Sequence, residues 1–190
     1  MDKTKIEWAD STWNPITGCR HKCPYCYARG IANRFVSRKG CHLVEPETYK
    51  LGDDGSETYE INEQPYYVDD ETGKQFRCAY PHGFVPTIHR YRMGEYRDKK
   101  RQRNIFVGSM SDVFGEWVPD RWIREVFNAC EKAPQHNYLF LTKNPKDIWS
   151  CIITENYHSE IICGTERQSQ IQIRRIWGRT DTMSSIRFCQ

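Results

Sequence analysis

The 190-residue sequence predicts an α/β fold built on a largely parallel sheet, and two observations carry that expectation. Strand-like and helix-like segments alternate along most of the chain, and the short apolar runs 105–107 and 138–141 each lie beside a stretch of helical periodicity. A composition of 38% hydrophobic and 13% aromatic residues supplies a core and excludes disorder. The length suits one domain, so residues 1–190 read as a single unit.

The elements follow in order. A short strand over 13–17 leads into a cysteine-rich loop. In the helix that follows, Ala28, Ile31, Ala32 and Phe35 recur at helical spacing, with Arg29, Arg34 and Arg38 off that stripe. Residues 40–83 read as an insertion after this first helix, because 41–75 hold ten acidic and two basic side chains, with turn signals at 52–55 and 69–73. Alternation at 58–61 and 66–68 suits a small hairpin or a solvated loop equally. A buried strand over 104–108 then passes through Ser109-Met110-Ser111-Asp112 to a helix from about Pro119. There Trp122, Ile123, Val126, Phe127 and Cys130 form one face, and Pro134 forces a stop. A second buried strand, 138–142, runs into Lys143 and a helix capped by Asn144 with Pro145 in its first turn. A strand over 160–163, a helix over 168–177 and a strand over 185–189 complete the reading.

Charge narrows the function classes. The 28 basic and 25 acidic residues leave +3, so no global field argues for nucleic acid. Residues 87–103 are locally different: Arg90, Arg92, Arg97, Lys99, Lys100, Arg101 and Arg103 face two acidic residues, with His89, Tyr91 and Tyr96 interleaved. That mixture fits a grip on a phosphate backbone or a plain solvated face. The longest apolar run, 138–141, is far below the roughly 20 residues of a membrane span, and the polar start Met1-Asp2-Lys3-Thr4-Lys5 is no signal peptide. A cytoplasmic protein with no membrane partner is the expectation.

Cysteine carries the chemistry. Of nine cysteines, Cys19, Cys23 and Cys26 fall within eight residues. An odd count without a secretory signal argues against a disulfide framework and for metal or redox chemistry. Gaps of three and two residues let one loop wrap three thiolates around a metal centre, and Pro24 keeps the loop from closing into a helix. The spacing alone leaves three outcomes open: an iron–sulfur site short of one protein ligand, a zinc site completed by His21 or by Cys41-His42, or free thiols. Cys41, His42, Cys78 and His82 form a candidate second site of Cys2His2 type, whereas Cys130, Cys151 and Cys163 fall on apolar faces as inert thiols.

The run Cys19-x3-Cys23-x2-Cys26, with Tyr25 before the third cysteine, resembles the signature of the radical S-adenosylmethionine superfamily. The wider stretch from Thr4 through Trp13-Asn14-Pro15-Ile16-Thr17-Gly18-Cys19 to Ala28 is more specific. With 105–115 and 138–145, it is similar to the phage-associated three-cysteine-motif proteins, a family of unknown function distantly like spore photoproduct lyase. The resemblance implies a [4Fe-4S] cluster on Cys19, Cys23 and Cys26 whose open iron binds S-adenosylmethionine. It also implies a partial (β/α)6 barrel, C-terminally short because the chain stops at Gln190 before a further strand and helix.

The implied activity is reductive cleavage of S-adenosylmethionine to a 5'-deoxyadenosyl radical. A flavodoxin or ferredoxin type protein would donate the electron, and nucleic acid or another macromolecule is the substrate class suggested. Ser109 and Asp112, after a buried strand, suit the cofactor's amino group or ribose hydroxyls, or simply a helix cap. Lys143 suits its carboxylate, Glu166 its ribose, and Tyr25 packing over cluster and adenine, with Trp13 and Asn14 forming the floor. A function of another class stands beside this one: a zinc-stabilised module that holds nucleic acid through 87–103 without catalysis.

Overall fold

The computed structural model of the chain describes residues 2–52, 56–144, 159–163 and 169–175. Strands β1 (Asp2–Lys3), β2 (Ser11–Trp13) and β3 (Ile16–Thr17) precede helix α1 (Tyr27–Arg34). Five short strands follow, β4 (Cys41–Val44), β5 (Thr48–Leu51), β6 (Thr58–Ile61), β7 (Tyr66–Asp69) and β8 (Gln75–Arg77), then β9 (Thr87–His89). The second half contains β10 (Asn104–Val107), α2 (Asp120–Glu131), β11 (Asn137–Thr142), β12 (Ser159–Cys163) and β13 (Ser169–Arg175).

The larger sheet has the order β1-β2-β10-β11-β13-β12. Its centre is parallel: β10 lies between β2 and β11, with Phe106 opposite both Thr12 and Leu139. The apolar faces of β10 and α2 make the core, where Ile105, Val107, Phe114, Trp122, Val126 and Phe140 are buried. Phe114, Phe127 and Phe140 meet in a ring cluster with centroids 5.6–6.2 Å apart. The five α2 residues expected to share one face are the five it buries. Removing one such phenyl ring costs about 3–5 kcal/mol in a core of this kind.

The partial (β/α)6 barrel is overturned. Among the described residues there are two α-helices and three separate sheets, with no closed barrel, and β1 and β12 leave the larger sheet with open edges. The decisive departure is β13, which runs antiparallel to β11 and pairs with β12 as a hairpin, where the sequence reading placed a helix over 168–177. The physical reason is visible in Ser169-Gln-Ile-Gln-Ile-Arg-Arg175: its alternation has period two, which sets Ile171 and Ile173 on one face of a strand. The expected helix from Asn144 and strand over 185–189 lie outside the described residues.

The insertion is also more ordered than expected. Segments 58–61 and 66–68 do not pair with each other: β6 pairs with β5 and β9, and β7 with β4 and β8. Its anchor is the buried Glu60 carboxylate, which accepts from Arg90 Nη1 at 3.0 Å, Arg121 Nη2 at 2.6 Å and Trp122 Nε1 at 2.6 Å. One acidic side chain thus ties the acidic segment to the first turn of α2. Among the described residues, no helix is long and apolar enough to cross a membrane.

Candidate functional site

The loop carrying the three cysteines begins at a backbone constraint. Gly18 has φ +85°, and a Cβ there would collide with the Val85 carbonyl, so the chain passes through a gap that admits only glycine. Gly18 N–H donates to Met110 O at 2.9 Å and Cys19 N–H to Phe84 O at 3.3 Å, which places the first cysteine just beyond the C-terminal end of β10. Lys22, at φ 53°, turns the chain between His21 and Cys23. Cys26 ends the loop as the cap of α1, its sulfur accepting the Arg29 N–H at 3.4 Å.

The three thiols are half-buried and free of disulfides. Burial pushes the Cys19 thiol up, and the charges of Asp112, Cys23 and Cys26 push the same way against the pull of the His21 backbone N–H. Three thiolates so placed repel one another, and a cation among them relieves that repulsion. The donor set is soft and all sulfur, the set that iron–sulfur clusters take. Among the described residues, no three His, Cys, Asp or Glu side chains form a group arranged to hold one metal ion. Three thiols on one loop are nonetheless a donor set of the kind a cluster takes, and Cys19, Cys23 and Cys26 are the residues that would hold one.

Asp112 organises the site. Its Oδ1 accepts the Thr142 hydroxyl at 2.6 Å and the Phe114 N–H at 3.2 Å, and its Oδ2 lies 2.8 Å from His21 Nε2 and accepts the Lys143 N–H at 2.9 Å. These contacts occupy the carboxylate with protein groups, which makes Asp112 a positioning residue for the cysteine loop. His21 also packs edge-on against Trp117, ring centroids 4.9 Å apart. Lys143 reaches back across the site, its Nζ 2.9 Å from Cys23 Sγ.

The remaining expectations are sorted by the same geometry. The Ser109 hydroxyl donates to Asn14 Oδ1 at 3.1 Å, and the Met110 N–H donates to that oxygen at 3.0 Å, so Asn14 ties down the turn after β10 and the Ser109 proton is engaged there. Trp13 is buried and donates its indole N–H to Arg92 O. Tyr25 is 98% exposed and packs on no protein surface, whereas Tyr27 donates to Ser109 O at 2.7 Å. Glu166 lies outside the described residues.

Two groups that sequence reasoning missed are the Ser111 hydroxyl and the Trp117 indole N–H, both buried without a hydrogen-bond partner. Ser111 pairs with Gly18 in an isolated bridge, so it lies directly under the loop. Nothing in its sequence position separates it from Ser109.

The second Cys2His2 site is not assembled. His42 is engaged by Asp70 at 2.7 Å, and His82 stacks on Tyr59 with centroids 3.5 Å apart. The Cys78 thiol, pushed up by burial, faces the Tyr67 hydroxyl. In the basic segment, Arg90 is bound by Glu125 and Glu60, Arg92 by the Asn14 and Ala79 carbonyls, and Arg103 by Ser11. Arg97, Lys99, Lys100 and Arg101 are exposed, just before β10 begins and hence at the opposite end of that strand from the cysteines.

No curated protein and no solved structure matches the chain. Residues 3–190 match the family described as protein of unknown function DUF5131, and the chain belongs to that family.

Proposed function

We propose that this chain is a radical S-adenosylmethionine enzyme whose cluster is held by Cys19, Cys23 and Cys26. The observation that supports it most is three thiols on one strapped loop at the C-terminal end of the parallel strands β2 and β10, the end at which open α/β sheets keep their sites. When bound, the cluster supplies one electron that splits S-adenosylmethionine into methionine and a 5'-deoxyadenosyl radical.

The chain's own residues do the rest. Cys19, Cys23 and Cys26 bind; Asp112 and His21 hold the loop against the end of β11. Lys143 has three ammonium donors, one directed at Cys23, which leaves others for the cofactor carboxylate. Reduced thiols and an exposed cluster loop suit a cytoplasmic protein served by a flavodoxin or ferredoxin type donor.

Anaerobically reconstituted, dithionite-reduced protein is expected to release 5'-deoxyadenosine slowly from S-adenosylmethionine without added substrate. Colourless protein carrying stoichiometric zinc would instead assign a zinc-stabilised binding module.

A further inference from the structure

We infer that Lys143 sets the reduction potential of the cluster through a hydrogen bond to the Cys23 sulfur, an inference that rests on the cluster reading above. Lys143 Nζ and Cys23 Sγ meet at 2.9 Å although 120 residues separate them. The contact is built from both sides. Lys143 N–H is held by Asp112 Oδ2, the neighbouring Thr142 hydroxyl by Asp112 Oδ1, and Asn144 N–H by the Thr142 oxygen at 2.9 Å. The same carboxylate engages His21, two residues before Cys23, so one buried anchor fixes the backbone at each end of the lysine–cysteine pair.

The three sulfurs are thereby made unequal. Cys26 accepts a backbone N–H from Arg29 and Cys19 one from His21, whereas Cys23 accepts from an ammonium. A positive charge and a hydrogen bond at a ligating sulfur stabilise the reduced, more negative state of a cluster over the oxidised one, which raises its potential. The step concerned is the entry of one electron; no bond forms or breaks and no proton moves. Because the lysine stem is exposed, its replacement leaves the core packing intact.

The test is a mediated dithionite titration of the full chain, reconstituted anaerobically without S-adenosylmethionine, beside Lys143→Met and Lys143→Arg. The midpoint is read by electron paramagnetic resonance and visible absorbance, with iron and acid-labile sulfide measured on the same samples. Equal iron in all three is expected, with the Lys143→Met midpoint moved to more negative potential and the Lys143→Arg midpoint close to that of the unsubstituted chain. Equal midpoints at full iron loading would overturn the inference and leave the cluster reading standing. Loss of iron from Lys143→Met alone would overturn it in favour of a role in cluster retention, and an unsubstituted chain without iron would overturn both.

Discussion

His21 Nε2 and Asp112 Oδ2 stand 2.8 Å apart across 91 residues, and this contact joins the cysteine loop to the turn after β10 and the end of β11. The carboxylate is buried, so its four partners bear on one rigid point.

Asp112→Ala leaves the buried Thr142 hydroxyl and the Lys143 N–H without their acceptor. It is expected to lower unfolding free energy by about 2–4 kcal/mol, the cost of stranded polar groups around a removed buried carboxylate. Urea denaturation measures the loss, and amide hydrogen exchange should accelerate at 18–23 and at Lys143. Unchanged exchange in the loop would show that Asp112 does not position it.

Gly18→Ala forces a side chain into the Val85 carbonyl at a left-handed backbone position. The expected cost is about 1–3 kcal/mol of strain, together with displacement of Cys19 and reduced iron uptake on reconstitution. Gly30→Ala is the control, because a Cβ there meets nothing within 4 Å.

Glu60 and His82 give the fold an acid limit. Burial pushes the Glu60 carboxyl up, but the hydrogen bonds from Trp122 and Arg90 and the charges of Arg90 and Arg121 outweigh it and hold the group below its ordinary value. A depressed carboxylate stabilises the fold above its unfolded pKa, and that contribution is lost as pH falls through the folded value. Burial lowers His82 from 6.5 to about 4, so the unfolded chain takes up a proton that the folded chain refuses within that window. Stability is therefore expected to fall as pH drops from 6.5 towards 4, and Glu60→Gln should reduce the part lost at the acid end. Thermal melts from pH 6.5 to below 4 check both signs, the His82 part in the upper range and the Glu60 part at its acid end.

The exposed basic residues are remote from the cysteines, at the other end of β10. Neutralising Lys99, Lys100 and Arg101 together is expected to leave iron content and 5'-deoxyadenosine release unchanged. If the segment holds phosphates, the salt dependence of oligonucleotide binding flattens by about one unit per contact removed. Absent or salt-independent binding assigns the segment to a solvated face.

Much of the second half was legible because its signals are local. The buried runs became β10 and β11, and the apolar spacing of α2 matched the face it buries. Cys19, Cys23 and Cys26 share one loop simply because they are close in sequence. The barrel rested on the resemblance and not on periodicity, and the helix read over 168–177 was wrong because the alternation of Ser169–Arg175 has period two. The strands of the insertion have partners set by long-range pairing, such as β6 with β9, and no local periodicity encodes that choice. The same holds for the site: His21 with Asp112 and Lys143 with Cys23 are contacts across 91 and 120 residues, invisible until the chain folds.

The most direct measurement is iron and acid-labile sulfide per chain after anaerobic reconstitution, for the unsubstituted protein and for Cys19→Ala, Cys23→Ala, Cys26→Ala and Cys130→Ala. The expected result is about four irons and as many sulfides in the unsubstituted chain. Iron should be lost in each of the first three variants and kept in Cys130→Ala, whose thiol is buried on the core face of α2. Equal iron in a chain lacking all three loop cysteines would contradict the assignment.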